Sequence, residues 1–129
     1  MVFGTFDYIH KGHEFFLKEA KKHGDYLIVV IARDTNVLKF KGQAPMFTED
    51  QRKDHIEKLG IANKVFLGYK NNIYQIIKEN KPDVICLGYD QNEHRVREKI
   101  KDFNINCKVV RLNGFNPDKY KSSKLQNKV

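Results

Sequence analysis

The sequence predicts an α/β fold: a doubly wound sheet of five parallel strands with helices on both faces, in a single domain spanning residues 1–129. Three observations lead there. Short apolar runs alternate with helical stretches of about ten to fifteen residues, the spacing of βαβ units. Residues 27–31 and 84–87 are continuous apolar runs, as expected of strands covered on both faces. Finally, 129 residues with 40% hydrophobic content suffice for one domain with its own core.

Residues 1–5 form an apolar run ending in Gly4 and Thr5; it is brief for a strand, so either residues precede Met1 or the strand starts late. Residues 12–23 read as a helix: Phe16, Leu17 and Ala20 make an apolar stripe, Lys21, Lys22 and His23 suit the C-terminal dipole, and Gly24 stops it. Residues 26–32 are the second strand. Residues 34–46, with Gly42 and Pro45, are polar and irregular and read as a loop. Thr48 and Gln51 bracket a capping box that opens a helix to Leu59, closed by Gly60. Residues 64–67 are the third strand. Residues 72–80 form a helix with Ile73, Ile76 and Ile77 inward, broken by Pro82. Residues 83–88 are the fourth strand. Residues 93–103 are helical with Val96, Ile100 and Phe103 on one face, and residues 107–112 are the fifth strand. Residues 113–120 are a Gly/Pro/Asn loop, and a short helix starts at Ser122 or Ser123. The arrangement is Rossmann-like. Ligands of such folds lie beyond the carboxyl ends of the strands, so functional residues are expected after Thr5, Ala32 and Leu87.

Composition narrows the classes. No run approaches a membrane-spanning length, and the first residues carry neither the basic nor the apolar region of a signal peptide, so a soluble cytoplasmic protein is expected. Lys and Arg total 24 against 16 Asp and Glu, a net charge of +8. Residues 108–129 hold six basic residues against Asp118 alone, a local +5 that suits a polyanion or is a solvated tail. Cys86 and Cys107 sit in apolar runs and read as buried free thiols.

The first strand runs into Gly4-Thr5-Phe6-Asp7 and then His10-Lys11-Gly12-His13 before a helix. A helix N-terminus offers unpaired N–H groups and the positive end of a dipole, Gly12 lets a phosphate approach the backbone, and imidazoles donate to phosphoryl oxygens. Such donors matter most when charge builds on phosphorus. Metal binding is a weaker reading, with no Cys or third His near in sequence. A dinucleotide-binding turn is disfavoured because the glycine spacing is not G-x-G-x-x-G.

These residues resemble the nucleotidyltransferase superfamily with its H-x-G-H signature, in its cytidylyltransferase-like branch. The resemblance is greatest to archaeal-type FAD synthase, and it also extends to glycerol-3-phosphate cytidylyltransferase. Ala32-Arg33-Asp34, Lys41-Gly42-Gln43-Ala44-Pro45 leading into Glu49-Asp50-Gln51-Arg52, Lys81-Pro82-Asp83-Val84-Ile85, Leu87-Gly88-Tyr89-Asp90-Gln91 and residues 110–115 carry it along most of the chain. The resemblance implies that His10, His13 and Lys41 stabilise the transition state. It implies that Thr5, Phe6, Lys11, Gly12, Asp90, Phe115, Ser122 and Ser123 join the two histidines around the nucleotide. It further implies that Asp7, Lys39, Lys41 and Arg52 meet the acceptor. Lys39 and Lys41 would otherwise be a solvated loop, Arg52 a helix surface residue, and Ser122 and Ser123 a plain helix cap. Two departures stand out. The cysteine that the subgroup carries before its Ser-Ser pair is missing, so redox sensitivity tied to it should be absent; and Lys121-Ser122-Ser123-Lys124 only echoes the R-T-E-G-I-S-T-T of the glycerol-phosphate branch.

The expected reaction is attack by an acceptor phosphate oxygen on the α-phosphorus of a nucleoside triphosphate, with pyrophosphate leaving and a divalent cation, magnesium, on the triphosphate. ATP and FMN, giving FAD, are the reactants the resemblance implies, in a homodimer with neither nucleic acid nor membrane as partner. CMP transfer to glycerol 3-phosphate or a sugar phosphate is the alternative. A basic nucleic-acid-binding module and a nucleotide-binding relative without turnover remain the other classes.

Overall fold

The computed structural model describes residues 1–88 and 91–112. Five strands alternate with five helices: β1 (Val2–Gly4), α1 (Lys11–Lys21), β2 (Ile28–Ile31), α2 (Asp34–Lys41), α3 (Glu49–Leu59), β3 (Lys64–Leu67), α4 (Gln75–Asn80), β4 (Val84–Leu87), α5 (Glu93–Asp102) and β5 (Lys108–Arg111). All strand pairs are parallel, with Gly4 opposite Ile31, Ile31 opposite Leu67, and Leu87 opposite Arg111.

Alternation along the strands builds two cores. Val29 and Ile31 face one way and pack with Leu17 and Ala20 of α1 and Ile56 of α3. Val30, Ile85 and Leu87 face the other way, against Ile76 and Ile77 of α4 and Val96 and Ile100 of α5. The period of two in each strand thus places helices on both faces.

The single five-stranded sheet expected from the sequence appears as a three-stranded ladder, β1-β2-β3, and a two-stranded ladder, β4-β5. They meet at Met1, whose nitrogen donates to the Val84 carbonyl at 2.8 Å and whose carbonyl accepts from the Cys86 N–H at 3.1 Å. With β1 only three residues long, this contact is too brief to count as a ladder. Across the junction the strands run β3, β2, β1, β4, β5, so the direction of winding reverses between β1 and β4. That is the switch point, beside which folds of this kind bind their ligands.

Residues 34–41, expected as a loop, are α2. Its first-turn N–H at Asp34 is capped by the Glu49 carboxylate at 2.8 Å, from a different helix. Only Asn36 and Val37 are buried along it, so it lacks the apolar stripe that announces a helix. Gly42 closes it at φ +79°, a conformation that glycine adopts freely. Capping of α3 is as expected: Thr48 Oγ1 accepts from Gln51 N–H, Gln51 Oε1 accepts from Thr48 N–H, and Gly60 ends the helix at φ +72°. α4 ends at Asn80, and Lys81, just before Pro82, closes it in the left-handed conformation at φ +45°. Both cysteines are free thiols; Cys86 is buried as expected, whereas Cys107 is only half-buried. Among the described residues no helix is long and apolar enough to cross a membrane.

Candidate active site at the first strand-to-helix turn

β1 ends at the switch point, and the turn that leads from it into α1 is tightly built. Phe6 is buried and left-handed, φ +52°, an uncommon state for a residue with a side chain. Its ring lies over Gly4: a Cβ there would sit 2.6 Å from Phe6 Cε2. The same ring meets His13 edge-on with centroids 5.7 Å apart. Glycine at position 4 is therefore what lets the aromatic ring support the second histidine.

His10 and His13 are brought together, their ring centroids 4.1 Å apart. Each also caps α1. His10 Nδ1 accepts from Gly12 N–H at 3.0 Å, and His13 Nδ1 accepts from His10 N–H at 3.3 Å, a capping box made of two imidazoles. Because both Nδ1 atoms accept, each neutral ring carries its proton on Nε2. Burial disfavours the charged form of both rings. Burial lowers the pKa of His10. His13 falls to about 4, through burial first, then the charges of His10 and Lys41, against a raising hydrogen bond with the Tyr8 backbone.

Lys41 lies in the last turn of α2, and its charge reaches His13. Lys39 is exposed on that turn too, but residues two apart on a helix point to different faces, so the two lysines do not converge as they would from an extended loop. Lys11 and Gly12 open α1 directly after the first imidazole.

Two residues expected at the acceptor are engaged elsewhere. Asp7 accepts the N–H groups of Met46 and Phe47 at 2.7 and 2.9 Å, one on each carboxylate oxygen. Arg52 is fully buried at 0% exposure. Its guanidinium donates to the Phe47 carbonyl at 3.1 Å, to the Thr5 carbonyl at 2.9 Å and to Asp34 Oδ1 at 2.6 Å. It has no surface left to offer a reactant, which corrects the expected contact. Asp90, Phe115, Ser122 and Ser123 lie outside the described residues.

The structure adds residues that the sequence did not single out. Gln91 crosses the switch point: its Nε2 donates to the Phe3 carbonyl at 2.7 Å and its Oε1 accepts from Gly88 N–H at 3.0 Å. Arg111 donates to the carbonyls of Gly88 and Gln91 at 2.6 and 2.8 Å and reaches Glu93. These contacts pin both ends of the loop after β4. A polar residue just past a central strand is the sequence signal for Gln91; nothing local marks Arg111. Among the described residues, no three His, Cys, Asp or Glu side chains gather into a metal site.

Residues 1–128 match the cytidylyltransferase-like family. The chain is 46% identical over 114 residues to a protein of Archaeoglobus fulgidus named FAD synthase, covering 87% of this chain and 82% of that protein. It is 35% identical to the FAD synthase of Picrophilus torridus, covering 100% of this chain and 94% of that one. Among solved structures it is similar to the lipopolysaccharide core biosynthesis protein from Thermoplasma volcanium, with a TM-score of 0.84 at 39% identity over 90% of this chain and 96% of that one.

Proposed function

The chain belongs to the cytidylyltransferase-like family and is a nucleotidyltransferase, and on that premise we propose that it transfers the adenylyl group of ATP to FMN, releasing pyrophosphate and forming FAD. The observation that carries this reading is the pair of neutral imidazoles at the N-terminus of α1, beside the switch point, in a chain whose relatives are named FAD synthase.

The FMN phosphate oxygen attacks the α-phosphorus in line; the new P–O bond forms as the bond to the bridging oxygen breaks, and pyrophosphate leaves. An ionised phosphate needs no general base. His10 and His13 donate from Nε2 to oxygens that gain charge at phosphorus, and the first N–H groups of α1 add dipolar support. Lys41 contributes a mobile positive charge. Asp90 and Phe115 are assigned to the nucleoside, and Ser122 and Ser123, with Lys121 and Lys124, to the β- and γ-phosphates. Enzymes of this kind use a divalent cation, here assigned as magnesium; it would neutralise the triphosphate, which with water would supply most of its ligands. The donor set fits, since Asp7 and both Nδ1 atoms are already occupied by backbone N–H groups. The working form is assigned as a cytoplasmic homodimer, which a light-scattering mass checks.

A sugar or polyol phosphate is the rival acceptor, favoured by the description of the solved Thermoplasma volcanium protein. The protein is to be mixed with ATP or CTP and, in turn, FMN, glycerol 3-phosphate and hexose phosphates, and pyrophosphate measured. Turnover is expected with ATP and FMN; turnover confined to CTP, or to a sugar phosphate, overturns the flavin assignment.

A further inference from the structure

We propose that Arg52, which touches no reactant, is a positioning residue that fixes the H-x-G-H turn relative to the lysine-bearing helix α2. The geometry is a closed circuit. Arg52 donates to the Thr5 carbonyl on the near side of the left-handed Phe6 and to the Phe47 carbonyl. On the far side of Phe6, Asp7 accepts the N–H of that same Phe47 residue. Phe6 is thereby held from both flanks against one residue of the α2–α3 connection. The third arm of the guanidinium grips Asp34, the first residue of the helix that ends in Lys41. One buried side chain therefore joins the two segments whose charges meet at His13.

Burial alone argues against an ordinary stabilising role. A guanidinium shut away from water, paired with a carboxylate that is itself 38% exposed, is a poor way to gain stability compared with an apolar side chain. It is a good way to fix three acceptors in one plane, because the planar fork directs donors in set directions. A strained residue such as Phe6 persists only where its surroundings over-determine it, and Arg52 and Asp7 supply that constraint. Displacing reacting groups by on the order of 1 Å costs roughly a hundredfold in rate, so such a brace acts on turnover more than on affinity.

The kinetic arm rests on adenylyl transfer; the titration arm does not. Lysine can follow only part of the fork, so R52K is the informative variant, with I56V as a control that trims the buried face of the same helix. In folded R52K, kcat with ATP and FMN should fall at least about tenfold with the KM for ATP within about threefold. Imidazole NMR should show His13 leaving its wild-type value of about 4 and rising toward the ordinary histidine range, while I56V moves neither readout. A folded R52K with unchanged His13 titration and unchanged kcat overturns the proposal, as does a kcat loss matched by I56V at equal stability. If R52K does not fold, D34N carries the test: a folded D34N with reduced kcat and a raised His13 pKa supports the brace, and one indistinguishable from wild type overturns it. If wild-type protein makes no FAD while the titration shift appears, the reaction assignment fails and the brace stands.

Discussion

His10 performs two tasks with two atoms of one ring. Its Nδ1 caps α1 through Gly12 N–H, and its Nε2–H is the donor assigned to phosphate. Asparagine is among the best N-caps but lacks a donor at the imidazole's far edge. H10N should therefore keep wild-type stability and lose at least about a hundredfold in turnover, whereas H10A should lose the same turnover and about 1 kcal/mol of stability besides. Urea unfolding and pyrophosphate release measure the two; an H10N enzyme with full turnover would reduce His10 to a cap. His13 sets a pH dependence. With the pKa lowered from 6.5 to about 4 in the folded state, folded and unfolded forms bind protons equally above pH 6.5, and only the unfolded form gains one as pH falls. Stability should thus be complete at pH 7 and decline between 6.5 and 4, by on the order of 3 kcal/mol from this group. Urea midpoints at pH 7 and 4.5 should separate far less in H13Q than in wild type.

Helices α2 and α3 are coupled end to end, and the coupling explains why one was legible and the other was not. The signals of α3 are local: Thr48 and Gln51 three residues apart, then Gly60. Those of α2 are remote, since Arg33 makes no side-chain cap and Glu49 closes the first turn from 15 residues away while also pairing with Arg33 at 2.7 Å. E49A should accordingly speed amide hydrogen exchange through α2, and T48A should not, although each costs about 1 kcal/mol of global stability. Equal exchange in α2 for both variants would refute the remote cap. The same division runs through the candidate site. His10 and His13 announce themselves by spacing, and β3 falls on the expected residues 64–67, because these depend on near neighbours. Arg52 reads as a surface charge on a polar helix, and only its three tertiary acceptors reveal it as buried. Lys39 and Lys41 look like a convergent pair until the segment proves helical.

The winding of the chain and its charge bear on one another. Strand order reverses between β1 and β4, so the turn bearing the two histidines and Gln91 lie at neighbouring strand ends, where ligands of such folds bind. The chain carries a net charge of +8, with +5 of it in residues 108–129. Were this charge for nucleic acid, duplex DNA would compete with ATP and binding would fall with a steep power of salt. Were it for a triphosphate, the effect would be confined to the nucleotide and shallower, since fewer phosphates are met. The second outcome is expected: between about 0.05 and 0.3 M salt the KM for ATP should rise severalfold while kcat holds, and duplex DNA should not inhibit. Replacing Lys119, Lys121 and Lys124 with glutamine should flatten that salt dependence and leave the melting temperature unchanged. A triple variant whose KM keeps the wild-type response to salt would show that the basic C-terminal segment faces solvent, and that the triphosphate's charge is met by Lys41 and the first turn of α1 alone.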